Sequence, residues 1–344
     1  MTSDPTRSTA ATPSASAPEG RLPPPVRPGD RVGVAALSGP ADPKSLEAGL
    51  DALSDLGFDP VPAANLRRKD GFFAGGDDER LSAFHQLAAD PDLPAILFLR
   101  GGYGVMRLLP DLDWGLLARH PRAYVGYSDL TPFLLEMVRR TGVVTFHGPM
   151  VAADLARGLD AAEEESFLAA LAGETGRSVD LYLSDDDRHG EVVEGPLVGG
   201  CLSMLTATIG TPYAPRLGGG IFFIEDVEEP LYRLDRMLTH LRLSGNLTAI
   251  HALIFGHLGC LDAVQPDPAA CVPALRSGLE PCPWPVAWGL AAGHEAPNHT
   301  LPLGLRCRLE PRRARLVLGV GDGAASEGAE GAGSDAGRGR GSTG

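Results

Sequence analysis

The stretch Ala95-Ile96-Leu97-Phe98-Leu99-Arg100-Gly101-Gly102-Tyr103-Gly104 decides how the first half of this chain folds. Five consecutive apolar residues without polar alternation describe a strand buried on both faces, and the glycines end it abruptly. Such a strand belongs in a parallel sheet with helices on either side. The flanking sequence repeats the pattern. Residues 31–37 (RVGVAAL) read as another buried strand, and Leu46, Leu50, Leu53 and Leu56 then recur at helical spacing before Gly57. Asp77 or Asp78 can cap a second helix, with Leu81, Phe84 and Leu87 on one face and Asp90-Pro91 at its end. Residues 123–126 form a short strand that leads through Tyr127-Ser128-Asp129 into a helix over about 130–140, and residues 143–146 read as a further strand. The chemistry of such sheets sits beyond the carboxyl ends of the strands.

The second half is mixed, with more strand and more turns. Strands are expected at 221–224, 252–255, 286–288, 306–309 and 315–318, with helices near 202–209 and along Leu231, Leu234, Leu238 and Leu241. Between the halves, a helix at 161–171 is followed by the polar run Ser184-Asp185-Asp186-Asp187-Arg188. The expected fold class is therefore α/β. An N-terminal parallel-sheet domain of flavodoxin-like or Rossmann-like kind (26–155) is joined by a linker (156–190) to a smaller mixed α+β, strand-rich C-terminal domain (191–321). Residues 1–25, rich in Ser, Thr, Ala and Pro, read as a disordered leader, and residues 322–344, rich in Gly, Ala and Ser, as a disordered tail.

Length and composition agree with two soluble domains: 344 residues, 43% hydrophobic and 22% charged. The net charge of −14 argues against a nucleic-acid partner, and no apolar run is long enough to cross a membrane. Cys201, Cys260, Cys271, Cys282 and Cys307 are odd in number and never paired as C-x-x-C, which argues against a disulfide framework or structural zinc and for a reducing cytoplasm.

Four positions can carry chemistry. In Gly126-Tyr127-Ser128-Asp129-Leu130-Thr131 a strand-to-helix turn would expose the Ser128 hydroxyl at the top of the sheet, with a helix N-terminus behind it. Ser, Asp and Thr are equally good N-caps, and Leu130 departs from the G-x-S-x-G elbow. The glycines of the 100–104 loop can bring backbone N–H groups to an oxyanion, although neither G-x-G-x-x-G nor a P-loop is present, which disfavours a nucleotide-dependent oxidoreductase. Glu225 follows four apolar residues, either as a site carboxylate or as acidic first-turn chemistry shared with Asp226, Glu228 and Glu229. His294, in the Gly- and Pro-bounded segment Gly293-His294-Glu295-Ala296-Pro297-Asn298-His299, can serve as a general base or be a plain surface histidine. His251, His257 and Cys260 are rejected as a metal cluster, so neither metal nor cofactor is expected.

Read together, R-G-G-Y-G at 100–104, G-Y-S-D-L-T at 126–131, I-E-D-V-E-E-P-L-Y-R-L-D-R-M-L at 224–238 and G-H-x-x-x-N-x-x-L-P-L-G at 293–304 follow an order that resembles the LD-carboxypeptidases. This serine peptidase family contains the murein tetrapeptide carboxypeptidases and the microcin C self-immunity peptidases. The resemblance spans about residues 28 to 318. It implies a Ser-Glu-His triad of Ser128 as nucleophile, Glu225 as carboxylate and His294 as base, with Glu228 and Glu229 as competitors for the carboxylate role. Asp129, Gly101, Gly102, Arg100 and Tyr127 would be oxyanion or substrate contacts. One departure stands out: Glu228 occupies a position where family members often have Gly. The resemblance further implies release of terminal D-alanine from murein tetrapeptides in cytoplasmic peptidoglycan recycling by a homodimer. A microcin C-type immunity peptidase acting on peptidyl or aminoacyl nucleotides is the alternative, and a non-catalytic module binding cell-wall peptides a second. An adenylate substrate calls for an aromatic residue to stack on the base; segment 172–196 offers only Tyr182 and no Trp, which favours murein.

Overall fold

The structure, a computed structural model, describes residues 15–260, 274–280 and 282–321. The first fourteen residues of the expected leader, the whole expected tail, Cys271 and the side chain of Cys260 lie outside the described residues. Five parallel strands, β1 (Arg31–Ala35), β2 (Asp59–Pro62), β3 (Ala95–Phe98), β4 (Ala123–Gly126) and β5 (Thr145–His147), run in the order β2-β1-β3-β4-β5. That is the flavodoxin-like order, with its switch point between β1 and β3. β3 is buried along its whole length, as its apolar run requires.

The remaining strands are β6 (Arg177–Asp180), β7 (Tyr182–Leu183), β8 (Val193–Cys201), β9 (Ile221–Glu229), β10 (Ala252–Cys260), β11 (Val286–Trp288), β12 (Leu301–Leu303), β13 (Arg306–Glu310) and β14 (Arg315–Leu318). All but β12 form a second sheet in the order β6-β14-β13-β8-β9-β10-β11-β7. Its centre, β8-β9-β10-β11, is parallel, and its flanks are antiparallel. The chain is thus α/β with two sheets.

Four details differ from the sequence reading. The segment 156–190 is not a bare connector: it holds the helix Ala161–Leu171 and supplies β6 and β7, both edges of the second sheet. Their burial alternates or is brief, so no apolar run announces them. β12 pairs antiparallel with β5 and so extends the first sheet from within the second half of the chain. Residues 15–25 lie along the body, with Ala17 N–H donating to Gly218 O at 2.7 Å and Arg21 N–H to Gly142 O at 2.9 Å. Finally, β9 continues to Glu229, because β10 keeps pairing with it through two register shifts. Glu225 therefore stands inside a strand rather than just after one.

A candidate active site between the two sheets

Ser128 leaves β4 in the left-handed region, with φ 62°, and opens a single 3₁₀ turn that runs into the helix Thr131–Thr141. A non-glycine residue tolerates that backbone only where its surroundings hold it. Here Phe133 packs edge-on against Phe98 at 5.3 Å and Tyr124 at 5.6 Å, which fixes the helix behind the turn. The Asp129 carboxylate fixes the turn from the front. It accepts the Ser38 hydroxyl at 2.5 Å and the Val105 N–H at 2.9 Å, joining the loops that follow β1, β3 and β4. Burial raises the Asp129 pKa, against the opposing pull of Ser38, Val105 and Gly104.

Gly101 faces Ser128 across this junction. A Cβ placed on it would lie 2.7 Å from both Cβ and Oγ of Ser128 and 3.6 Å from the Asp129 amide nitrogen. Only glycine fits there, which lets the Gly101 backbone lie close to both the Ser128 hydroxyl and the Asp129 amide nitrogen.

Glu225 and His294 arrive from the second half. Glu225 projects from β9, opposite Cys201 of β8, and is fully buried. His294 lies in the loop between β11 and β12, with Nδ1 2.7 Å from Glu225 Oε2 and Nε2 2.9 Å from Ser128 Oγ. An ionised carboxylate can only accept, so Nδ1 carries the proton. In the neutral ring Nε2 is then bare and accepts the Ser128 hydroxyl. Burial alone would lower the His294 pKa; the charge and hydrogen bond of Glu225, aided by Asp226 and Asp154, outweigh it and raise the value. The Tyr127 ring meets the imidazole in a T-shaped contact at 4.9 Å, and the His147 ring lies 5.4 Å from that of Tyr127. Burial holds His147 neutral, with a pKa of about 4.

The structure thus brings Ser128, Glu225 and His294 into one hydrogen-bonded chain, with Asp129 and Gly101 alongside. The helix after β9 begins only at Leu231, and Glu229 pairs with Arg233 at 3.1 Å, so neither Glu228 nor Glu229 takes Glu225's place at His294. Tyr127 is buried with its ring against His294, which makes it a support for the imidazole rather than a surface open to a ligand. Arg100 is exposed, donates only to Pro40 O at 3.3 Å, and has no carboxylate partner among the described residues. Ser38 was not singled out from the sequence; its one signal is its place just past the first apolar run. Among the described residues, no group of three or more His, Cys, Asp or Glu side chains is placed to hold a metal ion. No described helix is long and apolar enough to cross a membrane.

Comparison with known proteins follows the same division of the chain. Residues 32–148 match the family model of the LD-carboxypeptidase N-terminal domain, and residues 194–309 that of the LD-carboxypeptidase C-terminal domain. Over 305 residues the chain is 34% identical to the probable murein peptide carboxypeptidase of Bacillus subtilis, covering 86% of this chain and 94% of that protein. The crystal structure of muramoyltetrapeptide carboxypeptidase from Oxalobacter formigenes superposes with a TM-score of 0.75 at 34% identity, covering 84% of this chain and 99% of the other. The microcin C7 self-immunity protein in complex with aspartyl sulfamoyl adenosine superposes with a TM-score of 0.75 at 25% identity, covering 88% and 99%. With both halves matched in order and the similarity extending over most of its length, the chain belongs to the LD-carboxypeptidase family, peptidase family S66.

Proposed function

We propose that this protein is a serine carboxypeptidase that cleaves the L,D-amide bond of murein tetrapeptides and releases terminal D-alanine. The observation that carries the reading is the chain of hydrogen bonds from Ser128 Oγ through His294 to Glu225. In it, Nε2 of His294 takes the hydroxyl proton as Ser128 Oγ attacks the amide carbonyl, and Glu225 holds the ring in the required tautomer. The tetrahedral oxyanion forms beside Gly101, where the Asp129 N–H and the Gly101-Gly102 backbone can donate; one such donor is commonly worth about 3 kcal/mol of barrier. The imidazolium then returns its proton to the departing amine of D-alanine, and water releases the acyl group by the same steps in reverse. The substrate ends in a free carboxylate, and Arg100, exposed and without an acidic partner among the described residues, supplies a cation for it. The reading carries with it a cytoplasmic place in peptidoglycan recycling and a homodimeric state.

Purified protein incubated with murein tetrapeptide should release D-alanine, and Ser128→Ala should abolish release. No release by either protein would overturn the murein reading. The likeness to a structure holding aspartyl sulfamoyl adenosine supports a second reading, hydrolysis of aminoacyl-nucleotide amides, for which that compound is the next substrate to assay. The relatives named for murein peptides share 34% identity against 25% for the immunity protein, which favours the first.

A further inference from the structure

Behind His294 lies a buried polar cluster that the proposed mechanism does not use. Asn298, fully buried, accepts the Gly293 N–H on Oδ1 at 3.0 Å and donates from Nδ2 to Asp154 Oδ1 at 3.4 Å. Its own N–H donates to Glu163 Oε1 at 2.6 Å. Glu163 is itself anchored. It forms an ion pair with Arg157 and accepts the Asp160 N–H at 2.9 Å, as part of the capping box of the helix Ala161–Leu171. Asp154 also accepts the Met150 N–H at 3.0 Å, and its carboxylate acts on the buried Tyr127, the residue before Ser128. The cluster therefore lies near the serine turn and bonds directly to the histidine loop.

Gly293 explains why the second contact matters. Its φ is +132°, and a Cβ there would lie 2.8 Å from Glu225 Oε2 and 3.0 Å from Glu225 Cβ. The backbone just before His294 thus runs directly against Glu225, and the orientation of that peptide sets where the imidazole ring begins. A buried N–H at such a point needs a fixed acceptor. Asn298 provides it.

We propose that Asn298 is a positioning residue: its amide fixes the Gly293 peptide, and through it stands the His294 ring between Glu225 and Ser128. The inference rests on the reading of His294 as the base. Displacement of a reacting group by about 1 Å can cost roughly a hundredfold in rate, so the effect belongs in kcat rather than KM.

The test compares Asn298→Ala with wild type and with Asp187→Asn, which breaks the Arg276 ion pair beside β7 and serves as a destabilised control. Three quantities are read: kcat per active site titrated with a serine-directed phosphonate, KM, and the His294 titration followed by NMR. Asn298→Ala should lower kcat about 100-fold with KM changed less than threefold, and should move the His294 titration to lower pH. The anionic groups facing that ring are Glu225, Asp226 and Asp154, and a ring that leaves Glu225 loses the strongest of them. Asp187→Asn should lower only the thermal midpoint. Asn298→Ser leaves a small polar group in the buried site but is one bond too short for the Gly293 amide, and it carries the same readings if the alanine variant does not fold. Variants that lose thermal stability yet keep wild-type kcat and an unmoved His294 titration would overturn the proposal. The titration needs no substrate, so wild-type protein that shows it but releases no D-alanine counts against the substrate reading alone.

Discussion

At His294 two effects of opposite sign meet. Burial, the larger single effect, favours the neutral ring; the carboxylate of Glu225, with Asp226 and Asp154, favours the charged ring and prevails. A base must be neutral to accept the Ser128 proton, so kcat/KM should fall as pH drops through the His294 pKa, along a limb above the ordinary imidazole value of about 6.5. Glu225→Gln keeps the shape and removes the charge. Burial is then opposed by the more distant acids alone, and the limb should move to lower pH while the rate falls by roughly 10³–10⁴. A pH–rate profile of the two proteins checks this; an unmoved limb would assign it to another group. These three residues were legible in the sequence because each sits next to an apolar strand or a glycine-bounded turn. Ser38 was not: its hydrogen bond reaches Asp129, 91 positions away along the chain, and no local spacing records such a partner. Asn298 stands in the motif at 293–304, but only the fold shows its amide accepting the Gly293 N–H.

At the scale of elements, β9 shows how a single residue can bear on the end of a strand. Glu228 is exposed with φ 55°, in the left-handed region, where the β9–β10 register shifts from Leu258 opposite Asp226 to Cys260 opposite Glu229. A side chain costs about 1 kcal/mol in that conformation, and glycine avoids the clash. Glu228 is the position where family members often have Gly, and the backbone supplies the physical reason for the preference. Glu228→Gly should raise the urea midpoint by an amount equivalent to about 1 kcal/mol, less whatever the freer unfolded chain takes back, and should leave kcat within twofold. A midpoint that stays level or falls would mean that a contact of the Glu228 side chain outweighs the strain. β3, a continuous apolar run, and the helix Ala161–Leu171, opened by its Asp160 cap, were legible in the sequence at or within a residue of their observed bounds. The edge strands β6, β7 and β12 were not, since short strands with polar or Pro content (Pro302 in β12) are specified by the partner they meet rather than by their own pattern.

For the whole molecule, the path of the chain matters more than the division into two sheets. After β11 the chain leaves the second sheet, carries His294 past Ser128, adds β12 to the first sheet opposite β5, and returns to the second sheet as β13 and β14. Leu301 and Leu303 of β12 are fully buried in the first sheet's edge. Residues 15–21 make a second tie, bonded to Gly218 in one half and to Gly142 in the other. A third is the Cys201 N–H, which donates to Thr131 Oγ1 at 3.2 Å and so joins β8 to the helix that begins behind Ser128. A chain of this length ordinarily unfolds domain by domain. Here neither sheet can be lost without stripping a strand or a tie from the other, and a single urea transition is expected. Trp114, stacked on Phe133, reports the first half, and Trp284 and Trp288 report the second. Fluorescence of Trp114→Phe and of the double variant Trp284→Phe/Trp288→Phe should therefore give the same midpoint, coincident with loss of activity. Leu303→Ala removes a buried side chain from the shared strand at a cost of roughly 2–5 kcal/mol and should lower both midpoints together. Two separated transitions, with only the first-half probe responding to Leu303→Ala, would mean that the sheets are independent and that β12 is an edge strand of the first one and nothing more.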